Sequence, residues 1–359
     1  MTKEYTALGL MSGTSGDGVD ASIIRSDGEN KFEVIKNKYF EYNQRIQNSI
    51  YKLKDRVNTL KDLDNLRKEL NLFEKNLTLF HSNIANYFLK ENIDLIGFHG
   101  QTIYHKPKEK ISKQLGDGKL LSNITKKNVV YNFRQNDLNN GGEGAPLAPI
   151  FHKLIVNQKK ISLPVTILNI GGIANITSIN ANNKMYSLDI GPGNCLIDKW
   201  IRGNSKKNFD DEGNIAKSGL VNKLILDQSL DNFFNNKVSE KRSYDINDFD
   251  VSFVRGLSLT DGAATLTEFT AEILSKKIFD TNIYITGGGR KNKFLIKRLE
   301  DILQIKTKLI DDLNIDGDFV ESQAFAYLAI RSYIKKPISF PETTGCHKEC
   351  LGGEIIKVT

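Results

Sequence analysis

A general base needs a carboxylate held at an accessible edge, and Asp189-Ile190-Gly191-Pro192-Gly193-Asn194 places an acid at the end of an apolar run, followed by a rigid turn. Asp189 is read as the catalytic base. The competing role, capping a helix from Leu196 to Trp200, falls to Asn194, because Asp189 lies too far upstream to reach that helix's N–H groups. Glycine suggests a second chemistry. Phosphate recognition needs backbone N–H groups converging on anionic oxygens, and glycine permits the positive φ and close approach this requires. Ser12-Gly13-Thr14-Ser15-Gly16-Asp17-Gly18 offers such a turn, with three hydroxyls and, at Asp17, a carboxylate suited to holding Mg²⁺ through water. An ordinary hairpin would also want glycine there. However, Gly171-Gly172 and Gly287-Gly288-Gly289 close two further apolar runs, and three such clusters at strand ends point to a bound nucleotide. No cluster has the spacing G-x-G-x-x-G opening a helix after the first strand, which argues against a dehydrogenase.

Other polar residues group around these. His99, Gln101 and Thr102 follow the apolar run Asp94 to Phe98, and Arg134 lies in an irregular polar stretch; all four are read as substrate-binding residues. Glu321 opens a helical segment, where sequence alone favours a dipole-compensating role. His152, beside Ile150 and Phe151, reads as a core histidine. Cys346-His347-Lys348-Glu349-Cys350 offers three soft ligands, but a closed zinc site needs a fourth and the sequence shows none suitably spaced.

The elements that must position these residues form a mixed α/β pattern. Tyr5 to Leu10 and Val19 to Ile24 read as strands flanking the first glycine turn. Ile46 to Leu60 and Leu66 to Tyr87 carry apolar residues at steps of three and four, the mark of two amphipathic helices. A second hairpin follows, Val165 to Ile170, Ile173 to Ile179 and Met185 to Asp189, turned at Gly171-Gly172 in an architectural echo of the first. Helices are expected from Ala263 to Lys276, Asn292 to Leu303 and Glu321 to Tyr333, with a strand from Asn282 to Ile285. Two domains result, 1–150 with the first phosphate hairpin and part of the substrate site, and 151–340 with the second hairpin, Asp189 and the Gly287 turn. A cleft is expected between them, with the segment 341–359 packing back on the first domain.

With 359 residues, 39% apolar and 26% charged, the chain has the composition of a folded globular protein. The net charge of +7 comes from scattered lysines rather than an arginine stripe, so nucleic-acid binding is unsupported. Three cysteines fit a reducing compartment, and no apolar stretch is long enough for a signal-peptide core or a membrane span, so a cytoplasmic location is expected.

Taken in order, Gly9-Leu-Met-Ser-Gly-Thr-Ser-Gly-Asp-Gly-Val-Asp20, Phe98-His-Gly-Gln-Thr102, Asn132-Phe-Arg134, Gly144-Ala-Pro-Leu147, Asn169-Ile-Gly-Gly-Ile-Ala-Asn175, Asp189-Ile-Gly-Pro-Gly-Asn194, Ala263-Ala-Thr-Leu-Thr267, Gly287-Gly-Gly289 and Glu321-Ser-Gln-Ala-Phe325 resemble the 1,6-anhydro-N-acetylmuramic acid kinase family. The resemblance covers essentially the whole chain and implies a two-domain actin-like ATPase architecture, related to ribonuclease H and shared with acetate and sugar kinases, Hsp70 and actin. It implies that ATP phosphates lie against Gly13, Thr14, Ser15, Gly16, Asp17, Gly18, Val19 and Asp20, with Mg²⁺ as cofactor. It implies that Asp189 activates a water that opens the anhydro bridge while the sugar's O6 takes the γ-phosphate. It also moves Glu321 from helix decoration to support of that water, makes Thr102 and Arg134 sugar contacts, and leaves a homodimer open. Gly16 replaces a larger apolar residue of the family's turn, so looser packing is expected there, and Thr260-Asp261-Gly262 departs from the family's more usual Asp-Leu. The alternatives are a kinase of another sugar or a phosphoanhydride phosphatase on the same fold, or an ATP-switched binding module like Hsp70, for which the sequence carries no appended peptide-binding element.

Overall fold

Apolar runs interrupted by glycine become two sheets in the computed structural model, which describes residues 3–235 and 243–358. The chain divides into two compact units, Met1–Lys160 with Phe319–Thr359, and Ile161–Asp318. In the first unit β1 (Tyr5–Ser12), β2 (Gly18–Ser26) and β3 (Phe32–Glu41) form an antiparallel meander. Helices α1 (Gln44–Arg56), α2 (Leu60–Asn65) and α3 (Arg67–Phe88) then cross to β4 (Leu95–Lys106), which lies parallel to β1. After β5 (Ile111–Leu115), which pairs with the far end of β4, α4 (Gly118–Thr125) leads to β6 (Asn128–Tyr131), parallel to β4. Two helices, α5 (Gln135–Asn139) and α6 (Pro149–Gln158), close this stretch.

The second unit repeats the plan. An antiparallel meander of β7 (Val165–Ile170), β8 (Ile173–Ile179) and β9 (Met185–Pro192) is followed by α7 (Cys195–Asn204), α8 (Asn214–Lys217), α9 (Lys223–Phe234) and α10 (Leu259–Ser275). Next come β10 (Ile283–Thr286), parallel to β7, then α11 (Lys293–Leu303), and β11 (Lys308–Leu309), parallel to β10. The sheet orders are β3-β2-β1-β4-β6 and β9-β8-β7-β10-β11, so each unit carries the same strand order with the same directions. β7 is buried at all six positions, as a central strand covered on both faces must be.

The second unit ends earlier in sequence than the expected 151–340. Helix α12 (Val320–Tyr333) packs on β1, β2 and β4, with Ser322 Oγ 2.6 Å from Ser22 Oγ, and is buried along its length except at Glu321 and Tyr333. A helix buried on every side needs cover all round, and this one finds it in the first unit. The first boundary likewise falls at Lys160 rather than 150, because α6 stays with the first unit, where Phe151 packs against Phe32 and Tyr327. Beyond α13 (Pro341–Thr344), the C-terminal strand β12 (Glu354–Ile356) pairs antiparallel with β6, so the tail extends the first sheet. Among the described residues no helix is long and apolar enough to cross a membrane.

Candidate active site

The first glycine turn joins β1 to β2, and its carbonyls face protein donors. Gly13 O accepts from the Gln101 side-chain amide at 2.9 Å, Asp17 O accepts from Tyr42 N–H at 2.9 Å, and Thr14 O accepts from the Lys54 ammonium of α1. In a trans peptide the following N–H points opposite to its carbonyl, so the N–H groups of Thr14 and Ser15 are turned away from these donors. Both residues are exposed. Outward-turned, exposed N–H groups are what an anion-binding nest requires. Gly16 adopts φ +71°, and a Cβ there would lie 3.0 Å from Ile50 of α1. Far from loosening the turn, the glycine permits a left-handed backbone under a tightly packed helix. Asp17 is exposed, with Tyr51 Oη 3.3 Å from its Oδ1. Val19 is fully buried in the core, so only its backbone could face a nucleotide, while Asp20 is half-buried on β2 opposite Met11.

His99, Gln101 and Thr102 lie within a strand rather than at its end. β4 continues to Lys106 because β5 pairs with it beyond Gln101, and register shifts beside Met11 and between Thr102 and Tyr104 let the strand bend as it goes. His99 is buried and both its ring nitrogens are engaged. Nδ1–H donates to Gly100 O at 2.8 Å, and Nε2 accepts from the Arg134 guanidinium at 3.0 Å. Burial, with the Arg134 charge adding to it, holds the imidazole neutral by driving its pKa well down. His99 therefore orients Arg134, and Gln101, fully buried, braces the first glycine turn. Arg134 also donates to Gly144 O at 2.8 Å, which ties it to the loop that Asp137 supports through Gly144 N–H at 2.6 Å. Thr102 Oγ1 accepts from Gln114 on β5 at 3.2 Å. Glu321, in the first turn of α12, is reached by water, yet the protein around it raises its carboxyl pKa while Arg134 pulls the other way. The structure thus groups Arg134, His99 and Glu321 in the first unit.

In the second unit, the two remaining glycine clusters directly follow β7 and β10, whereas Asp189 lies inside β9, which runs on to Pro192 because Gly191 and Pro192 still pair with β8, and does not end its strand as the sequence suggests. Asp189 faces Asn175 across a register shift that leaves Ile190 bulged from the ladder, the device that re-aims side chains at functional edges. Asp189 Oδ2 accepts from Tyr244 N–H at 2.8 Å, a bond spanning 55 residues that fixes the carboxylate's orientation. The turn after Asp189 folds onto the second glycine hairpin, where Gly193 N–H donates to Gly172 O at 3.0 Å and Asn194 N–H to Gly171 O at 2.8 Å. Asn194 precedes α7 without a side-chain capping bond. Gly287 takes φ +80° directly after β10, where a Cβ would lie 2.4 Å from Asn169 Oδ1 on β7. Gly288 faces open space. This third turn is held from behind by Arg290, whose guanidinium donates to Gly287 O at 3.1 Å, Asp311 at 2.8 Å and Asp318 at 2.6 Å.

Sequence reasoning missed Arg290 and the Tyr244 amide, both of which act through partners remote in sequence. Of the cysteine pair, the Cys346 and Cys350 sulfurs lie with the Asp137 carboxylate within 4.8 Å of one another, a trio that does not include His347. Asp137 also accepts from Thr344 Oγ1 at 2.5 Å, tying the tail to the Arg134 loop. His152 is buried, as a core histidine should be.

A repeated three-strand meander followed by two parallel strands, with glycine turns at the strand ends, defines a two-unit α/β fold of the actin-like ATPase, ribonuclease H-like class. Comparison with known proteins narrows the class. The profile of the family described as "Anhydro-N-acetylmuramic acid kinase" matches residues 5–358. A protein of that name from Pelagibacter ubique (strain HTCC1062) is 52% identical over 373 residues, covering 99% of this chain and 100% of the relative. Another from Zymomonas mobilis is 38% identical over 363 residues, covering 97% and 99%. This chain belongs to the anhydro-N-acetylmuramic acid kinase family. Among solved structures, the component A of (R)-2-hydroxyglutaryl-CoA dehydratase from Acidaminococcus fermentans aligns with a TM-score of 0.44 at 12% identity, over 91% of this chain and 99% of that one.

Proposed function

We propose that this chain uses ATP to phosphorylate O6 of 1,6-anhydro-N-acetylmuramic acid while water opens the anhydro bridge, giving N-acetylmuramic acid 6-phosphate and ADP in the cytoplasmic recycling of peptidoglycan. The observation that carries this reading is Asp189, a buried carboxylate within β9 close to the glycine turns, with its Oδ2 held by the Tyr244 amide. In the proposed reaction water attacks the anomeric carbon as Asp189 takes its proton. The bridge oxygen leaves that carbon and, as O6, attacks the γ-phosphorus of ATP. Glu321 supports the water, its carboxyl pKa raised by desolvation while Arg134 pulls it down. Arg134, oriented by His99, and Thr102 contact the sugar. Thr14 and Ser15 N–H groups meet ATP phosphates, and Gly171, Gly172 and the turn Gly287, Gly288 and Gly289, open at Gly288, receive the rest of the nucleotide.

Asp17, exposed beside the nest, is a hard oxygen donor that fits Mg²⁺ held through water rather than in a protein cage. Such an ion would offset charge on the phosphates.

Two measurements test the proposal. Turnover of ATP and anhydro-sugar in isotopically labelled water should place the label at C1 of the product. Phosphorylation without label at C1 would make the chain an ordinary sugar kinase, and ATP loss without sugar dependence would make it a phosphatase. Asp189→Asn keeps an acceptor for Tyr244 N–H but not the base, so kcat should fall about 10²- to 10⁴-fold with ATP binding intact. Near-normal turnover in that variant would remove Asp189 from the mechanism.

A further inference from the structure

Beneath the first glycine turn lies a chain of hydroxyls and imidazole that none of the roles above employs. Tyr42, just after β3, Ser12, the last residue of β1, and His81 on α3 are 2%, 1% and 0% exposed, set among Ile50, Leu77, Phe88 and Phe98 of the core. Tyr42 Oη is 2.7 Å from Ser12 Oγ, Ser12 Oγ is 3.2 Å from His81 Nε2, and His81 Nδ1 is 2.9 Å from the Leu77 carbonyl.

Counting protons fixes every direction in this chain. A carbonyl can only accept, so His81 Nδ1 carries the hydrogen and Nε2 is the acceptor. Ser12 must then donate to Nε2, and its oxygen accepts from Tyr42 O–H. Burial supports the same state, lowering the His81 pKa to about 4 and raising that of Tyr42, so both rings stay neutral. Tyr42 has a second attachment. Its backbone N–H donates to Asp17 O at 2.9 Å. One residue thus grips both ends of the phosphate turn, Ser12 through its hydroxyl and Asp17 through its amide.

We infer that Tyr42 and His81 are positioning residues for the nucleotide, a staple across the base of the first phosphate turn that sets the separation of Ser12 and Asp17 and thereby the aim of the intervening N–H groups. The inference rests on the assignment of that turn to ATP phosphates, and not on which sugar is the acceptor. A satisfied, one-way hydrogen-bond chain in an apolar core specifies a single arrangement, because each alternative leaves a buried polar group without a partner.

The experiment compares wild type, Tyr42→Phe, Ser12→Ala, the double variant, His81→Ala and His81→Gln. Calorimetry gives the Kd for ATP with Mg²⁺, steady-state kinetics gives KM for ATP and for the anhydro-sugar, and chemical unfolding gives stability. Tyr42→Phe removes only the hydroxyl and should weaken ATP binding about tenfold with the sugar KM unchanged. Because both residues act through one chain, Ser12→Ala should do the same and the double variant should be no worse than either. His81→Gln, which can still offer Ser12 an acceptor, should restore most of the affinity that His81→Ala loses. Unchanged ATP affinity in Tyr42→Phe, additive losses in the double variant, or equal rises in both KM values would overturn the staple. If the wild type binds ATP but ignores the sugar, the acceptor assignment fails while the Kd comparison still decides the staple. If the wild type binds no ATP, the staple falls with the turn's assignment.

Discussion

Arg290 is the most heavily engaged cation among the described residues of the second unit, and replacing it with methionine gives a direct measure of how firmly the Gly287 turn is held. Its side chain is only 6% exposed and is shared between Asp311, Asp318 and Gly287 O, with Asp316 3.6 Å away. Breaking a buried ion pair by removing one partner costs about 3–5 kcal/mol. Here the carboxylates left behind are 38% exposed at Asp311 and 33% at Asp318, so water recovers part of that loss. Exposed pairs contribute only about 0–1 kcal/mol, and we expect a value between the two limits, about 2–3 kcal/mol. Trp200, the single tryptophan, is buried on α7 with its Nε1–H donating to Leu259 O at 2.9 Å, so its fluorescence during urea unfolding reports the second unit. The loss should depend on pH. Burial works to raise the Asp311 and Asp318 pKa values, but bonds from Arg290 outweigh it and hold both below the usual carboxyl range. A carboxyl with a depressed folded pKa stabilises the folded state above its unfolded value, about 3.9 for Asp, and that contribution fades as pH falls through the folded value. The gap between wild type and Arg290→Met should therefore be constant near neutrality and shrink below about pH 4. A gap under about 0.5 kcal/mol at pH 7, the scale of neutral surface changes, would refute the reasoning.

Two further outcomes follow from the geometry. Gly287→Ala meets both a left-handed backbone and a Cβ 2.4 Å from Asn169 Oδ1, and should raise the KM for ATP several-fold while lowering the Trp200 unfolding midpoint. His99→Leu keeps the ring's volume but leaves Arg134 without its Nε2 acceptor, so the sugar KM should rise about tenfold, the loss of one hydrogen bond to a charged group, with ATP affinity unchanged in calorimetry.

Both hairpins and the helices α3, α10, α11 and α12 were legible because apolar periodicity ends at glycine or a polar cap, and each of those signals is local. What escaped is non-local. β4 looked five residues long because Gly100, at φ +74°, interrupts the apolar run, and only pairing with β5 shows that the strand continues. Strand β3 is an edge strand with exposed polar positions, so it carries little apolar signal. On α3 the spacing put Phe80 and Tyr87 in the apolar stripe, whereas the buried face carries His81 and Phe88 and leaves Tyr87 exposed. A polar residue at a core position reads as a break in the pattern, and here that break is His81, bonded to Ser12 at the base of the first glycine turn. Asp189 stands out in the sequence through its glycine neighbours, while the Tyr244 N–H that holds it could not be read, since a backbone amide has no sequence signature.

The interruption of the first unit by the second also bears on how the chain is made. Residues 161–318 leave the ribosome as a contiguous stretch, whereas the first sheet lacks α12 over β1, β2 and β4, and β12 beside β6, until the last segment is translated. Domains commonly fold in order of synthesis, at about 5–20 residues per second. In this chain the order is inverted: the first unit must wait for α12, which follows the whole of the second unit in sequence, before its sheet is covered on that face.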